Sequence, residues 1–226
     1  MKFGLLTAIL EGTTFEEAVD FAAENQLECL EVACWPNTGG AKRRYAGVCH
    51  IDAEALTEEK AKEIIQYCKE RNVEISSLGY YPNTLDPDLE KRKQYIDHIY
   101  ALIDASSMLN VNMVTTFLGR VPDKNVEENL EIVKEVWPPI LEYAKEKGVK
   151  IAIENCPMWF TADEWPGGQN LMTTPPIWRE VFKILDSDNL GINYDPSHFI
   201  WQMIDYIRPL YEFKDKIFHL SLIHIS

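Results

Sequence analysis

The sequence has little positive charge for its length. Its 226 residues include 22 Lys and Arg against 36 Asp and Glu, which gives a formal net charge of −14. Because phosphate backbones and anionic lipid surfaces repel a chain of this charge, binding to nucleic acid or to a membrane surface is disfavoured. A neutral or metal-bridged small molecule suits this acidic chain better as a partner.

The sequence also lacks long apolar runs and paired cysteines. No uncharged apolar stretch approaches the ~20 residues that a membrane-spanning helix needs. The short apolar run at the N-terminus ends at Glu11 with no small-residue cleavage site after it, so we expect no targeting signal. The five cysteines are scattered and form no CxxC pair, which argues against a disulfide framework and a zinc ribbon. A cytoplasmic location is therefore expected.

A glycine-rich phosphate-binding turn is missing after the first strand-like segment. Short β-branched runs alternate with longer amphipathic runs, which predicts βαβ units and a mainly parallel sheet. An open doubly wound sheet and a (β/α)₈ barrel both fit this alternation, but the missing GxGxxG turn argues against the open sheet. Barrel enzymes build their sites at the C-terminal ends of strands, and polar residues recur there. These residues are Glu31, Tyr80, Thr116, Glu154 and Asp195.

Seven strands are predicted, whereas a closed barrel has eight. The fold class is therefore predicted to be α/β, of the (β/α)₈ TIM-barrel type but incomplete, with the eighth βα unit missing. No break in composition divides the chain, so residues 1–220 are predicted to form one domain. Unpaired edges on the first and last strands would favour association, such as a homo-oligomer. The predicted strands are Lys2–Leu6, Cys29–Ala33, Val73–Leu78, Val111–Phe117, Val149–Glu154, Leu190–Tyr194 and Ile217–Leu220.

Two long helices are predicted in the second half of the chain. The helix predicted over Val126–Lys147 contains Trp137-Pro-Pro, which predicts a kink or a break. A single helix is predicted over about Phe199–Glu212.

Two acidic residues follow consecutive predicted strands. Glu154 closes the apolar strand KIAI, and Asp195 follows the strand LGINY. Neighbouring parallel strands lie ~4.8 Å apart, so both carboxylates can face one divalent ion. A simpler alternative stays open for each residue. Glu154 could accept loop N–H groups, and Asp195 followed by a proline could cap a helix.

Histidine and aromatic residues near these strand ends are further candidates. His198, three residues after Asp195, could reach the same ion or hydrogen-bond a substrate. Trp35 and Trp159 lie in loops, where an indole face could cover a ring of a bound small molecule or anchor packing. The last two candidates are Tyr80 and Arg120, which could orient hydroxyls or a phosphate, although a surface salt bridge is the alternative for Arg120. His98 is given no role.

The residues around these candidates resemble the xylose-isomerase-like barrel superfamily, in its sugar phosphate isomerase/epimerase group. The resemblance runs from the first strand to about Leu220. Three segments carry it: Glu31–Pro36 (EVACWP), Ile153–Pro157 (IENCP) and Tyr194–His198 (YDPSH). It implies that Glu154 and Asp195 hold a divalent metal, Mn²⁺, Mg²⁺ or Co²⁺.

The resemblance also implies an activity. Glu154 would remove a proton next to the carbonyl of a sugar or sugar phosphate, and isomerisation or epimerisation would follow through an enediolate. Substrate binding is assigned to His198, Asn155, Trp35, Tyr80, Arg120 and Trp159. Three alternatives are considered. A dehydratase related to the inosose dehydratases would use the same site, and an inactive carbohydrate-binding fragment would lack the last metal ligands. A DNA-repair nuclease is disfavoured by the acidic charge and by the lack of early histidines.

The sequence departs from the family pattern at its end. The family usually has His-x-His on the seventh strand and a glutamate on the eighth. Here the seventh strand reads Phe-His-Leu-Ser, so Ser221 stands where the metal-binding histidine is expected. Residues 221–226 are therefore interpreted as a tail that is not native to the fold. His219 is expected to point to the wrong side of the strand for the metal and is not assigned to it.

Overall fold

The structure, a computed structural model, describes residues 1–37, 47–159 and 167–222. Seven strands within these ranges form a sheet whose strand order is the order of the chain. The pairs β1–β2, β2–β3, β5–β6 and β6–β7 are all parallel. Parallel strands that follow one another in chain order confirm the predicted fold class, a TIM-barrel type with seven strands. The strands are β1 (Gly4–Leu6), β2 (Cys29–Ala33), β3 (Glu74–Gly79), β4 (Met113–Thr116), β5 (Lys150–Glu154), β6 (Leu190–Tyr194) and β7 (Ile217–Leu220).

Helices occupy the connections between most of these strands. Among the described residues, no helix has the length and apolar character needed to cross a membrane. The helix with Pro138 and Pro139 runs through both prolines as one element, so it contains no break. The helices are α1 (Phe15–Glu24), α2 (Glu58–Glu70), α3 (Leu89–Met108), α4 (Val126–Glu146), α5 (Pro175–Leu185), α6 (Ser197–Trp201) and α7 (Arg208–Glu212).

The single helix predicted over residues 199–212 is wrong, because two short helices, α6 and α7, stand in its place. Met203 adopts a left-handed backbone conformation with φ 58°, which a helix cannot continue through. Pro209 lies at the start of α7, where its missing N–H costs nothing. The apolar periodicity of this region is therefore interrupted by backbone geometry that the pattern does not reveal.

The chain divides into two compact units. The first comprises Met1–Tyr81, His98–Val114 and Lys147–Val149, and it contains β1 to β3 with α1 and α2. The start of α1 is fixed by a capping box. The Thr14 hydroxyl accepts from the backbone N–H of Glu17 (3.1 Å), and the Glu17 carboxylate accepts from the N–H of Thr14 (2.7 Å).

The second unit comprises Pro82–Asp97, Thr115–Glu146 and Lys150–Ser226. An aromatic cluster joins α5, β6 and α6 in this unit. The Trp178 ring stacks on Phe199 with centroids 5.3 Å apart, and it meets the edge of Tyr194 at 6.1 Å. Because Tyr194 points to these helices, Asn193 and the residue after Tyr194 point to the opposite face of the sheet. The cluster thus holds α6 beside the C-terminal end of β6.

Candidate active and metal site

Three of the residues singled out in the sequence meet at the ends of β5 and β6. Glu154 is the last residue of β5, Asp195 follows β6 directly, and His198 lies in α6. The His198 Nε2 atom is 3.4 Å from Glu154 Oε1 and 3.6 Å from Asp195 Oδ2. All three residues are buried, and their candidate ligand atoms lie within 4.8 Å of one another. Two carboxylates and an imidazole therefore converge on one small buried volume.

Asn155 fixes the backbone of Asp195. The Asn155 side chain accepts a hydrogen bond from the N–H of Asp195 (2.7 Å) and donates one to its carbonyl (2.9 Å). Both ends of the Asn155 amide are thus used within the protein, and the residue is fully buried. These contacts tie the end of β5 to the end of β6, and the predicted role of Asn155 in substrate binding stays a prediction.

The two carboxylate oxygens of Asp195 face different partners. Oδ1 accepts a hydrogen bond from the backbone N–H of Ser197 (2.8 Å), which stabilises the turn into α6. Oδ2 faces His198. Pro196, and not Asp195 as the capping alternative expected, holds the N-cap position of α6. The turn contact made by Oδ1 leaves Oδ2 on the side of the histidine.

Asn170 is a positioning residue that the sequence did not reveal. Its side-chain amide donates to the carbonyls of Glu154 and Cys156, both at 2.7 Å. Its Oδ1 accepts from the N–H of Leu118 (3.1 Å). Asn170 thereby joins the end of β5 to the segment after β4. It lies in an irregular polar loop without periodicity, and no motif marks it.

The surroundings of His198 orient its ring. Its Nδ1 atom lies 3.4 Å from the indole nitrogen of Trp201, which leaves Nε2 facing the two carboxylates. Burial lowers the pKa of His198, but its contacts with Cys156 and Glu154 outweigh burial and raise it to about 10.

The residues present suit a divalent metal ion. His198 Nε2 is buried and makes no hydrogen bond within the described residues, so a ligand position is open at this atom. Carboxylate oxygens and an imidazole nitrogen together suit Mn²⁺, Co²⁺ or Zn²⁺, whereas Mg²⁺ prefers oxygen ligands alone. The geometry brings His198 within reach of the same ion as Glu154 and Asp195, which is one of the two possibilities considered in the sequence, and its assignment to substrate binding stays a prediction.

Trp159 is connected to this cluster by the indole ring of Trp201. Its ring meets Trp201 with centroids 4.5 Å apart, and Trp201 in turn meets the His198 ring edge-on at 6.2 Å. The predicted proximity of Trp159 to the candidate site is therefore present in the structure. Its role in covering a sugar ring stays a prediction.

Among the described residues, backbone carbonyls hold the Arg120 guanidinium. Its guanidinium donates to the carbonyl of Gly167 (3.1 Å) and to that of Lys124 (3.5 Å). Burial lowers its pKa from the ordinary arginine value. No ion pair of Arg120 is found among the described residues, and its role in substrate binding stays a prediction. Asn83 fixes its backbone from both sides, by accepting from its N–H (2.8 Å) and donating to its carbonyl (2.7 Å).

Gly119, just before Arg120, is predicted to tolerate no larger residue. Its φ is +84°, and an added Cβ would stand 2.6 Å from the backbone nitrogen of Leu85. We expect Gly119→Ala to lower the free energy of unfolding by about 1–3 kcal/mol through strain and collision. Urea unfolding measures this loss. Gly148→Ala is the control, because Gly148 also has a positive φ (+69°) but an added Cβ there meets nothing within 4 Å. Equal losses in both variants would show that backbone strain alone is responsible.

Trp35 and Tyr80 lie in the first unit. Trp35 packs against the buried cluster of Ala8, Ala33 and Val48. Its ring meets Tyr80 edge-on with centroids 5.9 Å apart. Trp35 is therefore at least a packing anchor, and the predicted roles of both aromatic residues in substrate binding stay predictions.

Two further polar residues of the first unit are buried and hydrogen-bonded. Glu31, at the end of β2 as predicted, accepts a hydrogen bond from the Tyr81 hydroxyl. His98, to which the sequence assigned nothing, is buried and joins two segments. Its Nε2 lies 2.8 Å from the carbonyl of Cys34, and its Nδ1 lies 2.7 Å from Glu54. A lone histidine in an amphipathic helix gives no signal of such a bridge.

The expectation that His219 points away from the metal side of its strand is wrong. Its Nδ1 atom lies 2.9 Å from Asn193 Oδ1, and Asn193 shares its face of β6 with Asp195. The physical reason is that residues 219 and 221 are two apart, so they face the same side of β7. Of the tail interpreted as non-native, residues 223–226 lie outside the described residues, and the interpretation stays a prediction.

Solved structures with the same fold include sugar-converting enzymes. A D-psicose 3-epimerase in the presence of D-fructose is 13% identical, with a TM-score of 0.74 over 98% of this chain and 73% of that chain. The probable 3-DHS dehydratase AsbF from Bacillus anthracis is 21% identical, with a TM-score of 0.71 over 97% and 72%. The IolI protein with a bound zinc atom is 18% identical, with a TM-score of 0.70 over 98% and 72%. At these identities the similarity shows the fold.

Two curated relatives match most of the chain. Uncharacterized protein YfiH of Bacillus subtilis is 28% identical over 97% of this chain and 72% of its own length. Uncharacterized protein MJ1311 of Methanocaldococcus jannaschii is 23% identical over 88% of this chain, which spans 61% of that relative. Residues 19–225 match the family described as the xylose isomerase-like TIM barrel. The resemblance stated from the sequence is thus confirmed, and the chain belongs to the xylose isomerase-like TIM barrel family.

Proposed function

We propose that this chain carries the site of a metal-dependent isomerase or epimerase that acts on a sugar or a sugar phosphate. The observation that carries the proposal is the buried cluster of Glu154, Asp195 and His198, whose candidate ligand atoms lie within 4.8 Å of one another. The structural similarity to a D-psicose 3-epimerase supports the choice of substrate class. Glu154 and Asp195 are the proposed metal ligands.

Glu154 has a second proposed role as the base that takes a proton from the carbon next to the substrate carbonyl. When bound, Mn²⁺, Mg²⁺ or Co²⁺ would neutralise the negative charge that develops on two vicinal oxygens. The buried position of Glu154 excludes bulk water from its carboxylate. The electrostatic interaction between this carboxylate and a positively polarised substrate C–H group is therefore stronger than it would be in water. His198 is proposed to donate a hydrogen bond to a substrate oxygen or to complete the ligand set.

The remaining candidates are proposed to bind and orient the sugar. Trp159 would cover one face of the ring, since it lies beside Trp201 and His198. Arg120 would contact a hydroxyl or a phosphate. For Trp35 and Tyr80 the proposed contact with the sugar rests on the sequence resemblance, and Asn155 acts by holding the backbone of Asp195.

A dehydratase is the second candidate function. The structural similarity to the probable 3-DHS dehydratase AsbF favours it. The first step, proton abstraction next to a carbonyl, is common to both reactions. They differ in the next step, because a dehydratase expels a hydroxyl whereas an epimerase returns the proton. Analysis of products for a loss of water separates the two.

Metal-dependent stabilisation tests the proposed site. We expect Mn²⁺ to raise the melting temperature of the protein, because an ion at 100 times its Kd stabilises the folded state by about 2.7 kcal/mol. The Asp195→Asn variant should lose most of this increase, since it removes one charged ligand. Glu142→Gln, a change of the same kind at an exposed position of α4, should retain it.

Three outcomes would contradict the proposal. If Mn²⁺, Co²⁺ and Mg²⁺ all leave the wild-type melting temperature unchanged, the cluster does not bind a metal ion. An equal effect in wild type and Asp195→Asn would place the ion elsewhere. Sugar binding that is unchanged by a chelator would favour the inactive carbohydrate-binding alternative.

A further inference from the structure

Cys34 and Cys49 face each other across a short antiparallel contact in the first unit. The contact follows β2 directly and consists of an isolated bridge between these two residues. Two backbone hydrogen bonds flank it. The N–H of Trp35 donates to the carbonyl of Val48 (3.1 Å), and the N–H of His50 donates to that of Ala33 (2.9 Å).

The positions of these hydrogen bonds identify the type of pair. They join the residues on either side of the two cysteines, and no bond of this ladder joins the cysteines to each other. The cysteines therefore occupy a non-hydrogen-bonded site, where opposing Cα atoms are about 4.5 Å apart and the side chains leave on the same face. Disulfides form when the Cα atoms are roughly 4.4–6.8 Å apart, so this backbone accepts a disulfide without a change of fold.

A third contact holds one side of the pair in place. The carbonyl of Cys34 lies 2.8 Å from His98 Nε2, which anchors this residue to α3. Cys34 is buried, whereas Cys49 is partly exposed. A small reagent can thus react with Cys49 first. The buried Cys34 thiol can then attack the Cys49 sulfur of the mixed disulfide. The Cys34 Sγ now donates to the carbonyl of Val32 (3.4 Å), and this contact is lost when the thiol proton leaves on disulfide formation.

We propose that Cys34 and Cys49 form a reversible intramolecular disulfide, and that small-molecule disulfides are the oxidants. The Cys49 thiolate attacks a disulfide RSSR, forms a mixed disulfide and releases one thiolate RS⁻. The Cys34 sulfur then attacks the Cys49 sulfur and releases the second RS⁻. The two protons lost by the cysteines end on the two RSH molecules. Two cysteine thiols are thus oxidised, and one small-molecule disulfide is reduced.

The electrostatic surroundings make this dithiol slow to react near neutral pH. Burial raises the pKa of the Cys49 thiol to about 11, and the carboxylates of Asp52 and Glu54 add to the effect. Burial also raises the pKa of Cys34, well above the ordinary thiol value. Since only the thiolate reacts, exchange is slow, and the close backbone geometry favours the disulfide once a mixed disulfide has formed.

The disulfide would act on the segment that carries Trp35. This residue follows Cys34, donates its N–H across the same bridge and packs against Tyr80. A covalent link at this bridge would fix the backbone beside the Trp35 ring. Oxidation would therefore limit the motion of Trp35 at the end of β2. This effect would not require the disulfide to contact Glu154 or Asp195.

Thiol mapping tests the proposal on the full chain. The protein is incubated with oxidised glutathione at pH 8.5, the remaining thiols are alkylated, and unreduced peptides are identified by mass spectrometry. We expect a Cys34–Cys49 cross-link, the loss of two of the five thiols and recovery of both with dithiothreitol. Cys49→Ser should abolish the cross-link. Cys68→Ser is the matched control and should retain it, because burial raises the Cys68 thiol pKa to about 11 as well.

Two results would overturn the proposal. One is a stable glutathione adduct on Cys49 with Cys34 still free to be alkylated, which would show that the pair cannot close. The other is a set of cross-links that pair Cys49 with Cys29 or Cys156 as often as with Cys34. If Cys49→Ser fails to fold, Cys34→Ser serves as the second variant, and the peptide map of the wild type decides on its own.

Discussion

The Glu154→Gln variant is expected to lose proton abstraction from a sugar substrate by about 10²–10⁴-fold, the usual contribution of a positioned acid–base group. Glutamine has nearly the same shape, and its amide oxygen can still contact a metal ion, but it cannot accept a proton. Glu154 is buried at the end of β5, so bulk water cannot replace it as a base. The measurement is the incorporation of solvent deuterium at the carbon next to the substrate carbonyl.

The control for this change separates a base from a ligand. Mn²⁺-dependent melting is recorded for the same variant, and we expect a weaker but detectable increase, since one charged ligand is replaced by a neutral one. Glu142→Gln, at an exposed position of α4, should leave both deuterium incorporation and Mn²⁺ binding unchanged. If Glu154→Gln retains deuterium incorporation within a factor of about three, Glu154 is not the base, and its role is limited to metal binding.

The strands and the acidic pair could be predicted because their signals are local. The bounds of β2, β6 and β7 agree with the prediction residue by residue, since each is a short apolar run between polar segments. Glu154 and Asp195 end consecutive strands, and parallel pairing then places their side chains at the same edge of the sheet. In these two cases chain order alone was enough to predict spatial proximity.

The residues that were missed act through contacts between distant segments. Asn170 bonds to Glu154, Cys156 and Leu118, and none of these pairs is close in the sequence. The partners of His98, Cys34 and Glu54, are likewise separated from it by an entire helix. A single sequence carries composition and periodicity but no pairwise information, so the positioning residues around a site are less predictable than its charged groups.

Loss of the Asn155 clamp is expected to destabilise the protein and to weaken metal binding together. Asn155→Leu leaves the buried N–H and carbonyl of Asp195 without their partner, at about 1–3 kcal/mol for each group. The melting temperature should fall by roughly 2–4 °C for each kcal/mol lost. Because Asp195 is then held less firmly, the Mn²⁺ concentration for half-saturation should rise about 10-fold or more, the usual effect of removing a residue that orients a ligand.

A second buried asparagine provides the comparison that isolates the effect on the site. Asn129 also bonds only to backbone groups, including the N–H of Val121 (2.8 Å) and the carbonyl of Lys124 (3.1 Å), but it lies at the start of α4. Asn129→Leu should lower the melting temperature by a similar amount and leave Mn²⁺ affinity unchanged. If both variants lose affinity equally, metal binding follows global stability. If only Asn155→Leu loses it, the amide bridge between β5 and β6 is what presents the Asp195 carboxylate to the ion.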